Sequence, residues 1–87
     1  MNIKKAAEKE MGRMKEIFES IAIKEDKRAD EFYSFAENYF EDGKYFFEKK
    51  KYVESFEAFI IAWAYLDVGI KLKLFKPDKK VKKYFTS

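Results

Sequence analysis

Eighty-seven residues make one domain, just above the size at which a single apolar core holds a chain folded. The chain has neither Cys nor His, which excludes disulfides, a thiolate nucleophile, ligation of metals by those residues and the commonest general base. A formal charge of +3 arises from 17 Lys and two Arg against 11 Glu and five Asp, a Lys/Glu-heavy balance common in heat-adapted proteins.

Aromatic residues make up 20% of the chain, so its core can be richer than the length suggests. The opening "MNIKKAAEKEMGR" is charged throughout, unlike a signal peptide. The longest uncharged run, Ala58 to Leu66, is nine residues, against the ~20 needed to span a bilayer. A soluble, cytoplasmic protein without a membrane partner is the expectation.

Apolar spacing of three and four residues runs along almost the whole chain, and period-two patterns do not appear. The first helix is predicted over about 2–23, with Asn2 as N-cap. Its stripe is Ile3, Ala7, Met11, Met14, Phe18 and Ile21, on one face at 100° per residue. "KEDKR" at 24–28 interrupts the stripe without Gly or Pro. Two helices or one continuous helix both fit there.

The second helix is predicted over about 27–49. Gly43 lies in the middle of its apolar face, where it is unfavourable by about 1 kcal/mol relative to Ala. Glycine is kept at such a place when another element approaches closely, and Phe56 and Ile60 are the expected occupants. The turn "EKKKY" follows. Its Lys49, Lys50 and Lys51 offset the helix dipole; phosphate binding is the alternative reading.

The third helix is predicted over about 52–74. Its main stripe is Tyr52, Val53, Phe56, Phe59, Ile60, Trp63, Leu66, Ile70 and Leu74, with Asp67 inside it. A second stripe, Ile61, Tyr65, Val68 and Leu72, runs along the opposite side. A helix apolar nearly all round is central in a fold or an assembly. One partner is the second helix; the other is the first helix or a second copy of the chain. Pro77 ends regular structure, and residues 77–87 read as a basic tail beyond a domain of residues 1–76. Residues 71–87 carry seven Lys and one Asp, while residues 1–48 carry nine basic and 12 acidic groups.

Two carboxylates stand in apolar stripes. If the second and third helices are antiparallel, Tyr33 lies opposite Asp67. A buried carboxylate needs a bonding partner: the Tyr33 hydroxyl, or Lys71 one turn on. The functional alternative is a titrating acid in a pocket. Asp42 is the second inward candidate, about nine residues from the level of Asp67, on the order of 13 Å at 1.5 Å per residue. That separation rules out a shared proton or metal. No Walker motif, phosphate loop or nucleophile elbow occurs, and no catalytic residue, metal site or cofactor is expected. Lys79, Lys80, Lys82 and Lys83 with Tyr84 and Phe85 mix charge with stacking groups, as binders of single strands do, although the tail lacks Arg.

The segment Ala36–Phe75, "AENYFEDGKYFFEKKKYVESFEAFIIAWAYLDVGIKLKLF", resembles a family of small archaeal proteins called domain of unknown function 357. The likeness rests on Ala36, Tyr39, Asp42 and Tyr45, then on "YVxxFEA" from Tyr52 and "LDxGxxLxLF" from Leu66. It implies an up-and-down three-helix bundle and no assigned activity. A weaker likeness to one tetratricopeptide hairpin, through Tyr39, Gly43, Phe46, Tyr52, Phe59 and Ala62, is taken as convergent packing, since solenoids need about three repeats. The expectation is an all-α, three-helix up-and-down bundle with the third helix central. It serves as a non-enzymatic interaction module that binds itself, as a homodimer, or another protein through Ile61, Tyr65, Val68 and Leu72. The alternative is a nucleic-acid accessory protein using the Lys-rich turn and the basic tail.

Overall fold

Three α-helices carry most of residues 2–85, the span described by a computed structural model: α1 (Ile3–Glu19), α2 (Lys27–Glu48) and α3 (Tyr52–Lys71). Each start has a local cause. The Asn2 side chain accepts from the Lys5 backbone N–H at 3.1 Å and caps α1. Asp26 accepts from the Arg28 backbone N–H at 2.7 Å and caps α2, and that bond holds its carboxyl below the usual range.

Two helix ends close in the same way. Lys50 and Lys73 both take left-handed backbone conformations, at φ 61° and 62°. At the end of α2, Lys50 N–H donates to Phe47 O and Lys51 N–H to Phe46 O. At the end of α3, Lys73 donates to Ile70 O and Leu74 to Gly69 O. These bonds satisfy the last carbonyls of each helix. They hold a side-chain-bearing residue where Gly sits without strain, at a cost of roughly 1–2 kcal/mol each. Lys50→Gly and Lys73→Gly are therefore each expected to raise stability by about 1 kcal/mol. The check is a melting-temperature increase of about 4–8 °C; a decrease would mean the lysine side chain itself holds the turn.

α2 and α3 form an antiparallel hairpin packed along most of its length. Its seam is made of small side chains. Ala29, Ala36 and Gly43 recur every seven residues on α2, and Ser55, Ala62 and Gly69 do so on α3; all six are buried. The Ser55 hydroxyl donates to Gly43 O at 2.7 Å, which fixes the register. Carried along the hairpin in steps of seven, that register sets Ala36 against Ala62 and Ala29 against Gly69. Small facing residues let the helices approach closely. The occupant of the Gly43 notch is Phe59, fully buried, rather than Phe56 or Ile60. The close seam also turns α3. Val53 and Ile60, expected in its core stripe, are exposed, and Ser55, Ala58 and Ala62 are buried in their place.

α1 packs on one flank of this hairpin, mostly against α3, and buries Ala7, Met14 and Ile17. Phe18 lies against Tyr33 and Phe40 of α2, with ring centroids 5.5 and 5.1 Å apart.

The ends of the chain differ from the sequence reading. α1 stops at Glu19 rather than near 23, and α3 at Lys71 rather than near 74. Residues Ile21–Ile23 form β1, which pairs antiparallel with β2, Phe75–Pro77, in the register Ile21↔Pro77, Ala22↔Lys76, Ile23↔Phe75. Lys24 N–H to Leu74 O and Asp78 N–H to Ser20 O extend the ribbon at its two ends. A 3-10 helix, Lys79–Tyr84, follows. The segment expected as a solvated tail thus folds back on the body. Leu74 and Val81 are fully buried and Phe75 nearly so, its ring set against Gly69. The chain is mostly helical, as expected, with a short ribbon added. Thr86 and Ser87 of the expected tail lie outside the described residues.

Candidate interaction surfaces

The small-residue seam brings α2 and α3 close together, and the aromatics spread to its two flanks, with Phe59 reaching in to the Gly43 notch. On one flank, Phe40 and Phe59 lie in the core beneath α1, and Tyr33 packs edge-on to Phe18. The other flank carries Phe32, Phe35 and Tyr39 of α2 beside Ile61, Tyr65, Val68 and Leu72 of α3. α1 stands at its edge, where Ile60 also lines a hollow with Glu10, Arg13 and Ile17. Tyr65 is half-buried, stacked on Phe35 at 5.3 Å and on Tyr39 at 5.9 Å, with Phe32 edge-on at 6.1 Å. Ile61, Val68 and Leu72 remain 40%, 45% and 48% exposed, and Phe35 48%. Between them runs a groove of about 310 Å³ lined by Phe32, Ile60, Ile61, Ala64, Tyr65 and Val68, with no charged side chain in its lining.

The carboxylate candidates part company. Asp67 is buried and accepts from Lys71 Nζ at 2.8 Å. The half-exposed lysine neutralises the carboxylate from the rim. Among the described residues no hydrogen bond joins Tyr33 to Asp67. Tyr33 instead packs edge-on between Phe18 and Phe75, and its phenol is pushed above the ordinary 10.0 by burial and by Glu37. Asp42, expected to face inward, is exposed. One residue is 100° of helix rotation, so the residue beside the buried Gly43 need not share its face. Among the described residues no three Asp or Glu side chains gather as a metal site, and no helix is long and apolar enough to cross a membrane.

The lysines fall into two groups. Lys49, Lys50 and Lys51 are exposed on the α2–α3 turn, with Lys49 Nζ 5.6 Å from the Tyr45 ring centre. Lys79, Lys80, Lys82 and Lys83 are exposed on the 3-10 helix. The first group sits at the start of α3; the second follows β2 and runs back alongside the middle of α3, where Lys83 lines a hollow with Ile60 and Trp63. They make two patches, not one. Beside the second, Tyr84 OH donates to Glu16 at 2.9 Å, which raises its phenol above 10.0. Trp63 Nε1–H donates to Tyr84 O at 2.9 Å, and the Trp63 ring stacks on Phe85 at 5.8 Å. Sequence reasoning missed Ile60 as a surface residue, and it missed the part of Phe75, Val81, Tyr84 and Phe85 in the fold. The one available signal was aromatics set in a lysine-rich run that a solvated tail has no use for.

Comparison with known proteins adds three findings. A family model described as "Protein of unknown function (DUF357)" matches residues 4–75. No curated protein matches the chain. The crystal structure of protein AF1782 from Archaeoglobus fulgidus, matched by the same family model, is similar: 27% identity, TM-score 0.75, covering 86% of this chain and 92% of that one.

Proposed function

The chain belongs to the DUF357 family, whose description assigns no activity, and we propose from its surface that it is a non-enzymatic, self-associating interaction module. The proposed frame is an up-and-down bundle of three helices with α3 central. The observation that carries the reading is the flank of α3 that α1 leaves open. Ile61, Tyr65, Val68 and Leu72 follow one another at intervals of four, three and four, the a/d spacing of a helix that packs along a second helix.

A second copy of the chain fits this face better than an unlike partner. The groove offers no charge with which to select another surface. The stripe is also complementary to itself. Two antiparallel copies of α3 related by a twofold axis set Ile61 beside Leu72 of the second copy and Tyr65 beside its Val68, all apolar against apolar. Phe35 then flanks the contact from α2. The neutralised Asp67 supports a packing role over a catalytic one.

Sedimentation velocity at micromolar concentration is expected to show a dimer. Ile61→Glu combined with Val68→Glu should weaken it by about 10,000-fold or more, since the two copies together bring four carboxylates to the contact and each one desolvated costs at least ~1.4 kcal/mol, a factor of ten. Both positions are exposed in the single chain, so helical circular dichroism should be unchanged. A wild-type monomer at every soluble concentration would sink the reading. The alternative, a nucleic-acid accessory protein, draws on the two lysine patches described above, and loss of oligonucleotide binding on removal of either patch would favour it.

A further inference from the structure

A second cavity stands apart from the apolar face. It is a cleft of about 510 Å³ where the end of α3, β2 and the end of the 3-10 helix meet. Ile70 forms its α3 wall. That residue lies on the side of the helix opposite Ile61, Tyr65, Val68 and Leu72, so the cleft is independent of self-association.

Three features define what the cleft would hold. Its rim carries Lys73, Lys76 and Lys82, with no acidic residue in the lining. Among the described residues none of the three is in an ion pair. The C-terminus of α3 brings about half a negative charge, which three ammonium groups outweigh. The rim therefore asks for more than one negative charge.

The floor is apolar and fixed. Phe75 is seated on Gly69, and Pro77 follows it in β2. Phe85 closes the cleft, and its ring lies parallel to Trp63, within 5°. Trp63 is itself held by its bond to Tyr84 O. One face of Phe85 is thus occupied by Trp63 and the ring is held flat, which makes a stacking platform of the kind single-strand binders use. The volume lies within the roughly 300–1,000 Å³ of small-ligand sites.

We propose that this cleft binds a nucleoside phosphate, with the base on Phe85 and the phosphate oxygens on Lys73, Lys76 and Lys82. A fatty carboxylate matches the floor but brings one charge to three lysines. A bare phosphate matches the rim but leaves the platform unused. The ligand class is shared by a free nucleotide and by a nucleotide within a single strand.

The test is titration of the full-length, nitrogen-15-labelled protein with adenosine diphosphate, pyrophosphate, decanoate and a short oligothymidylate, followed by amide resonances. Adenosine diphosphate is expected to shift Lys73, Phe75, Lys76 and Phe85, and to bind about tenfold more tightly than pyrophosphate, the contribution of one stacked base. Phe85→Ala should erase that advantage and leave pyrophosphate binding unchanged. Lys76→Ala with Lys82→Ala should weaken both ligands by about tenfold or more. Both lysines are exposed, so this variant reads the cleft without touching the core. Tighter, more salt-dependent binding of oligothymidylate identifies a strand as the source; tighter binding of adenosine diphosphate identifies a free nucleotide. The proposal is overturned by any of three results. These are no shifts at the cleft with either phosphate ligand, affinity unchanged in the double lysine variant, or decanoate binding more tightly than adenosine diphosphate.

Discussion

Gly43→Ala is expected to destabilise the protein by about 1–3 kcal/mol, although Ala is the better helix former. A Cβ at position 43 would overlap the Phe59 ring, which is fully buried and cannot swing away. The propensity gain of about 1 kcal/mol is already inside that net figure. Phe59→Ala alone should cost about 3–5 kcal/mol, as a large ring lost from a packed core does. The two changes are coupled through one space. In the Phe59→Ala background Gly43→Ala loses its clash and should become stabilising by about 1 kcal/mol. Urea unfolding of the four proteins measures this. A Gly43→Ala effect of the same sign in both backgrounds would show that position 43 is not limited by Phe59.

A chain ending at Leu74 is expected to lose cooperative folding. It removes Phe75 and Val81, whose burial contributes about 3–6 kcal/mol together. It also takes away the Tyr84 carbonyl to which the half-buried Trp63 Nε1–H donates, a further net ~0.5–1.5 kcal/mol. Domains of this size hold about 5–15 kcal/mol in all, so little remains. Thermal melting followed by circular dichroism should be broad and low, with weak near-ultraviolet signal. A sharp transition within a few degrees of the full-length protein would mean that residues 75–85 are peripheral after all.

The three α-helices were legible in the sequence because each presents apolar residues at the helical period over many turns. The rest was hidden for definable reasons. β1 and β2 are three residues each and pair across more than 50 positions, so neither carries a local signal. Val81 is one valine among lysines; nothing but the tertiary fold tells that it is fully buried. In α3, periodicity ranks large side chains as core, whereas the close seam selects small ones. That is why Val53 and Ile60 were placed inside while Ser55 and Ala58 belong there. Gly43 was recognisable as a point of close approach, but its occupant depended on a register that only the Ser55–Gly43 bond reveals. The stripe Ile61, Tyr65, Val68 and Leu72 was visible at once. What the sequence left open was whether α1 covers it, and α1 lies on the other flank. The cleft at Lys73, Lys76 and Lys82 was not visible, because its wall, floor and platform meet only through the fold-back of the C-terminal segment.

That fold-back also bears on how the protein comes to exist in a cell. The α2–α3 hairpin is local and needs only residues 27–71, so it can form early and quickly. α1 is made before the hairpin, yet the strand that pairs with the residues just after it is made only once the hairpin is complete. Chains emerge N-terminus first at roughly 5–20 residues per second. Between the making of residue 71 and the arrival of residues 75–81, the chain holds a complete hairpin while the groups that Phe75 and Val81 will cover stay open. Folding finishes only when residues 75–85 have followed the hairpin, so the core closes on a segment made after the three α-helices it covers.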